Sequence, residues 1–288
     1  MQDVNNMVKD ILRANEENRL AIFIGAGVSA NSGYKSWWQI VDRFNENKKY
    51  VENSDKEYTD EEILKIPQFV YNEDSELYFK ILEEEYNKLP DETNPIINIL
   101  LELQPNHIIT TNFDRLIEYS IEKQHIYGNT MYEDFSKYSR IINDTGFIFA
   151  KKPHYFIKMH GDLEDRASIV LKEDDYLEFS ATHSLVETFV KSLFVNHTIL
   201  FVGYGLKDNN LKLIMSWVNS FTKKILNVTT PADIIILMLK ILSFPNMIKN
   251  TIQIKIFISL SLLRFRLLRD TTMIKLFLAI QEERTYIR

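Results

Sequence analysis

An α/β domain built on a doubly wound parallel sheet is the fold this sequence predicts, on three observations. Short, near-continuous apolar runs recur at residues 20–24, 107–111, 155–159 and 198–202. Strands buried on both faces of a parallel sheet read this way, whereas half-solvated strands alternate. Stretches with apolar residues at helical spacing separate these runs, as parallel crossovers require. Each run also ends in a loop carrying Gly, Asn or His, and open α/β sheets bind their ligands at that edge.

The elements follow in order. Val4, Met7, Val8, Ile11 and Leu12 predict an amphipathic helix over residues 3–18. Residues 20–24 form a buried strand that stops at Gly25, and residues 37–47 read as a helix. Residues 48–104 are rich in Glu, Lys, Asn and Tyr, with helical patterning at 61–70 and 76–86, and predict a helical insertion or lid. A second strand at 107–111 leads into a helix from Asp114 to about Lys123. A third strand at 155–159 and a short fourth at 168–171 come next. A helix over 185–194, a fifth strand at 198–202 and a closing helix over 211–221 complete a Rossmann-like arrangement. The predicted organisation is a domain over 1–224, with 48–104 inserted, and a C-terminal appendage over 225–288.

That appendage differs in composition. All eight glycines precede it, Ile and Leu dominate it, and it holds nine Lys or Arg against four acids. It lacks clean helical or strand periodicity over long windows. A helical segment packed on the domain or on a partner, and a frameshifted reading of an AT-rich gene, are the two readings kept open. A membrane-surface segment would need a clearer basic amphipathic face.

Composition bounds the function classes. A hydrophobic fraction of 45% and a charged fraction of 26% over 288 residues are ordinary for a globular protein and exclude collagen-like and disordered classes. The formal charge of −6 supplies no overall attraction to nucleic acid or anionic lipid, so direct nucleic-acid binding is not expected. Cysteine is absent, which removes disulfides and Cys-ligated metal centres and fits a reducing compartment. The first ten residues lack a signal-peptide core, and no uncharged apolar stretch reaches the ~18 residues of a membrane span. The expectation is a cytoplasmic protein without a membrane partner.

Four loops carry chemistry. Gly25-Ala26-Gly27-Val28-Ser29 follows the first strand, and its glycines permit a tight turn and close approach to a pyrophosphate. The third glycine of the usual dinucleotide fingerprint is replaced by Ala30, and a Gly-rich turn without a ligand stays open. Thr110-Thr111-Asn112-Phe113-Asp114 ends the second strand. Asn112 both donates and accepts, while Asp114 offers an anionic acceptor or simply caps the next helix. His160-Gly161-Asp162 follows the third strand, placing an imidazole where a base near neutral pH is useful. A lone histidine is more often a satisfied core or surface residue, and His107 and His197, at strand entrances, are read so. Gly203-Tyr204-Gly205 follows the fifth strand, where glycine lets a nucleoside lie against the backbone, and Asp208 or Asn209 can cap the last helix.

Taken together, these loops resemble the sirtuin superfamily, and within it the sirtuin-like NADase branch of bacterial anti-phage defence proteins, the SIR2-like domain of Thoeris-type effectors included. The resemblance spans about residues 15–222. It rests on FIGAGVSANSGYKSWWQIV (23–41), IITTNFDRLIE (108–118), IKMHGDLE (157–164), VLKEDDYLEF (170–179) and ILFVGYGLKDNNL (199–211). It implies NAD as the substrate and no metal. Gly25, Ala26, Gly27 and Ser29 would hold the phosphates, and Gly203 and Tyr204 the adenosine side. Asn112 would lie near the nicotinamide ribose, Asp114 near the carboxamide, and His160 would be the base. Two departures separate this chain from the superfamily's protein deacylases. It lacks the four-cysteine zinc module, and Tyr34-Lys35-Ser36-Trp37 stands where those enzymes carry Pro-Asp-Phe-Arg.

The resemblance therefore implies hydrolysis of NAD to ADP-ribose and nicotinamide in abortive infection, by a homo-oligomer or under a regulatory partner such as an ATPase or a phage-derived activator. Three other classes stay open: an NAD- or ADP-ribose-binding regulatory module, a protein deacylase or ADP-ribosyltransferase, and a structural subunit.

Overall fold

Apolar runs this short can only be buried if they pair, and they pair in one parallel sheet. The structure is a computed structural model. It describes residues 2–48, 50, 58–89, 91–126, 137–204 and 208–225, and four short strands beyond. In chain order the elements are α1 (Gln2–Glu16), β1 (Leu20–Ile24), α2 (Ala26–Ser29), α3 (Trp37–Lys48), α4 (Asp60–Glu73), α5 (Ser75–Tyr86) and α6 (Pro95–Glu102). Then come β2 (His107–Thr110), α7 (Leu116–Ile126), β3 (Tyr138–Ile141), α8 (Asp144–Ile148), β4 (His154–Lys158), α9 (Glu173–Thr182), α10 (Ser184–Asn196), β5 (Thr198–Val202) and α11 (Asn209–Ile225). The remaining strands are β6 (Ile234–Leu237), β7 (Leu239–Lys240), β8 (Gln253–Ile254) and β9 (Phe265–Arg266).

The main sheet runs β3-β4-β2-β1-β5-β6-β9 with every pairing parallel. β1, at its centre, pairs Ile22 with Ile108 on one side and with Leu200 on the other. Its side chains alternate between two cores. Leu20, Ile22 and Ile24 face a layer with Ile40, Phe44, Ile66, Tyr78, Ile97 and Leu116. Ala21 and Phe23 face the other, with Phe179, Val190, Phe194 and Phe201. Fully burying one such Phe or Leu stabilises the fold by roughly 1.5–3 kcal/mol before entropy is counted. The doubly wound parallel sheet is thus the observed architecture.

The described part of 48–104 is helical, and local chemistry explains each start. Thr59 and Glu62 form a reciprocal capping box on α4, Asp74 accepts from the Leu77 amide at α5, and Asn94 accepts from the Ile96 and Ile97 amides at α6. Asn94 also donates to the Val28 carbonyl (3.1 Å) and Ser32 Oγ (3.0 Å), tying this segment to the first glycine loop.

Two expectations differ from the structure. Residues 168–171 do not form a strand: a 3-10 turn covers Arg166–Ser168, and the Val170 amide donates to the His160 carbonyl (3.0 Å) instead of joining a ladder. In place of helix, the described residues of the tail beyond α11 are extended, and β6 pairs in parallel with β5, Leu200 opposite Ile235. An Ile-rich run of β-branched residues suits a strand better than a helix. Among the described residues no helix is long and apolar enough to cross a membrane.

At the amino edge of the sheet, remote from the glycine loops, the imidazoles of His107, His154 and His197 meet, with ring centres 6.2 and 5.4 Å from that of His107. His107 Nδ1 accepts the Tyr155 amide (3.1 Å), and burial, aided by the neighbouring histidines and Lys137, pushes its pKa down to about 3. A base depressed in the folded state and ordinary in the unfolded one makes unfolding take up a proton. Its contribution is intact above about pH 6.5 and is lost as pH falls toward 3. We expect stability to fall by up to ~1.4 kcal/mol per pH unit for this group, and the His107→Gln variant to show a shallower slope in urea titrations between pH 6.5 and 4. Equal slopes would remove His107 as the cause.

Candidate active site

All strands of the sheet point the same way, so the loops after β1, β2, β4 and β5 gather at one edge. A cavity of about 380 Å³ opens there, within the usual range for small-molecule sites. Ala26, Gly27, Ser29, Asn112, Asp114, His160, Gly203 and Tyr204 all line it. Of the nine residues assigned NAD-binding or catalytic roles from the sequence, Gly25 is the one outside this lining; it packs against Gly203 and Tyr204. Gly205 lies outside the described residues.

The two glycine loops are packed on each other. The Gly27 amide donates to the Gly203 carbonyl (2.9 Å) and the Gly25 amide to the Val202 carbonyl (2.9 Å). A Cβ on Gly25 would stand 2.5 Å from the Gly203 carbonyl oxygen. Gly203 has φ +64°, and a Cβ there would sit 2.6 Å from the Val28 nitrogen, so both strain and contact require glycine. α2 is a single turn, and the Gly27 amide is already taken up by the Gly203 carbonyl. The Gly203→Ala variant is expected to lose about 1–3 kcal/mol of stability and to weaken NAD binding, read by thermal melting and calorimetry. Unchanged melting would show that the two loops can separate freely.

Hydroxyls couple the first two loops. Thr110 Oγ1 donates to the Ile24 carbonyl (2.7 Å) and accepts the Asn112 amide (3.1 Å). Asn112 Nδ2 donates to Ser29 Oγ (2.9 Å), and the Ser29 hydroxyl bonds the Asp114 carboxylate. Asp114 also accepts the Leu116 amide (3.0 Å), so it caps α7 while facing the cavity. Burial raises the Asp114 pKa, with Ser29 and Lys158 opposing it in part.

Beneath that loop lies Lys158, fully buried at the end of β4. Its ammonium donates to the carbonyls of Phe113 (3.2 Å) and Asp114 (2.9 Å), and pairs with Glu118 Oε1 (3.2 Å) and Asp162 Oδ2 (2.6 Å). Arg140 adds contacts to Asp162 (2.5 Å) and Glu164 (2.9 Å). Two cations thus hold the Asn112 and His160 loops against one another.

His160 is 3% exposed, with the edges of Tyr176 and Phe179 against its ring at 5.5 and 6.4 Å between centres. Gly161 has φ +79°, and a Cβ on it would strike the Ser168 carbonyl, so the turn that presents His160 needs glycine. The cavity's outer wall comes from residues outside the site set picked from the sequence. Lys35, Ser36, Trp37 and Trp38 enter after the first loop, Ile63 and Leu64 from α4, and Tyr86 from α5. Lys35 is fixed by Glu85 (2.7 Å). Only the Ser36-Trp37-Trp38 run, among the motifs already quoted, hinted at this wall. Among the described residues no cluster of His, Cys, Asp and Glu has the makings of a metal site.

Fold and cleft together define an open-sheet α/β protein whose polar site sits at the carboxyl edge of parallel strands, with an amide and an imidazole inside one cavity. Residues 106–240 match the SIR2-like domain family. The chain is 33% identical over 225 residues to the defense-associated sirtuin 2 of Bacillus subtilis, covering 77% of this chain and 21% of that protein. It is 29% identical over 217 residues to the NAD(+) hydrolase ThsA of Cytobacillus dafuensis (74% of this chain, 41% of that one). The same identity holds over 223 residues with ThsA of Bacillus cereus strain MSX-D12 (75% and 43%). The chain thus spans between a fifth and under half of the length of these relatives.

Proposed function

We propose that this chain hydrolyses NAD at its nicotinamide–ribose bond, giving ADP-ribose and nicotinamide. The observation that carries the reading is the convergence of Asn112 and His160, from two separate strand ends, on a single cavity walled by both glycine loops. The similarity to proteins named NAD(+) hydrolase supports the same chemistry. Cleaving this bond builds positive charge on the ribose as neutral nicotinamide departs. The enzyme must hold the ribose, stabilise that charge and supply water to the anomeric carbon. His160 accepts a proton from a ribose hydroxyl or from the water, and general-base help of this kind contributes roughly 10²–10⁴ in rate. Asn112, held by Ser29, orients the ribose or the water. Asp114 receives the carboxamide of nicotinamide. Gly203, Tyr204 and the 25–29 loop take the adenosine and phosphate end. The apolar wall of Trp37, Trp38, Ile63 and Leu64 excludes bulk water.

We place this activity in anti-phage defence, in keeping with the name of the Bacillus subtilis relative. Unchecked NAD cleavage would kill the cell that makes it, so control by self-association or by a partner, an ATPase or a phage protein, belongs to the proposal. The test is incubation of the purified protein with NAD, with and without candidate activators, following nicotinamide by chromatography. Tight NAD binding with no nicotinamide under any condition would leave a binding module instead.

A further inference from the structure

Asp208 immediately precedes α11, and its two carboxylate oxygens serve different partners. Oδ1 accepts the Leu211 amide (2.8 Å), capping the helix. Oδ2 lies 3.1 Å from His160 Nε2 and accepts the Tyr176 hydroxyl at 3.4 Å. The carboxylate is 10% exposed, a burial that a cap alone does not require. Burial by itself pushes its pKa up, but His160, the Leu211 amide and Tyr176 outweigh it and hold Asp208 below the usual carboxylate range. Burial also raises the Tyr176 phenol well above its ordinary value, which keeps that hydroxyl a donor.

The pair is a charge contact rather than an aligned hydrogen bond, and a carboxylate charge 3.1 Å from Nε2 favours the neutral tautomer that carries its proton there, which leaves the lone pair on Nδ1. We propose that Asp208 is a positioning residue that fixes His160 as the Nε2–H tautomer, so that Nδ1 is the base offered to substrate. This rests on the NAD-cleavage reading for its catalytic consequence, and on the Asp208–His160 geometry for the pairing itself. Tyr176 holds the second oxygen in place from α9, a helix that no loop motif brought into the site.

The Asp208→Asn variant separates this role from helix capping. Asn caps a helix about as well as Asp, so α11 keeps its cap through the amide oxygen. That use of the only oxygen turns the NH₂ toward Nε2, which then must accept, and the proton moves to Nδ1. An Asp-to-Asn exchange behind a catalytic histidine inverts the tautomer in this way in the serine-protease triad. The expected result is an unchanged melting temperature, an unchanged KM for NAD and a kcat lower by about 10²–10⁴-fold. Histidine ¹⁵N shifts are expected to report Nε2–H for His160 in the wild type and Nδ1–H in the variant. A wild-type kcat in Asp208→Asn, or a wild-type His160 protonated on Nδ1, overturns the proposal. If the wild type itself releases no nicotinamide, the cleavage reading fails, and the ¹⁵N measurement still decides the pairing.

Discussion

Replacing His160 by alanine is expected to reduce nicotinamide release by at least about 10²-fold, with NAD binding retained within a few-fold. The imidazole lines the cavity through a turn that only glycine can make, and among the described residues no other histidine lines it. Because the ring is packed against Tyr176 and Phe179, the alanine variant also leaves a void. His160→Gln keeps most of the volume and should be as inactive, which separates lost chemistry from lost packing. Asn112→Ala is expected to fall by a similar factor, since it removes the amide and releases Ser29 from its contact. If both residues act on one ribose, the double variant should lose little more than the worse single one, because groups acting as a unit are not additive. Turnover near the wild-type rate in both single variants would end the enzymatic assignment.

The second large effect concerns Lys158. Its Met variant keeps the length and removes the charge, leaving Glu118 and Asp162 buried with Arg140 as their remaining cation. Breaking a buried pair from one side costs about 3–5 kcal/mol, since the abandoned charges stay desolvated. We expect urea unfolding at pH 7 to show a loss of that size, together with weaker NAD turnover, because the Phe113 and Asp114 carbonyls lose the ammonium that holds their loop. The sign of the pH dependence follows from Asp162. Burial opposes ionisation there, but Lys158 and Arg140 outweigh it and hold its pKa below the ordinary carboxylate value. That contribution is present above the unfolded pKa and is lost as pH falls through the folded one, so the gap between wild type and variant should narrow in acid. A loss under 1 kcal/mol at pH 7 would mean that water or backbone motion already relieves the pair.

The sequence by itself determined the parallel sheet, because β1, β2, β4 and β5 are too uniformly apolar to have a wet face. It also determined the turns. Gly25, Gly27, Gly161 and Gly203 each stand where a side chain would collide with a neighbouring loop. Asn112, Asp114 and His160 were legible for the same reason: they follow strand ends whose direction is fixed once the sheet is parallel. Residues 168–171 misled because their apolar run satisfies a loop carbonyl instead of a neighbouring strand. The short α2, α6, α8 and β3 and the amphipathic-poor α9 carry too few residues or too little periodicity to stand out from loops. Only the tertiary structure decided what those elements deliver. Lys158 looks like one charge in an apolar strand until Glu118 and Asp162, from other parts of the chain, are brought within 3.2 and 2.6 Å. Trp37, Trp38 and Tyr86 become a cavity wall, and Asp208 becomes a partner of His160, for the same physical reason. Periodicity encodes which face of an element is buried, whereas contact between distant segments depends on how the layers stack.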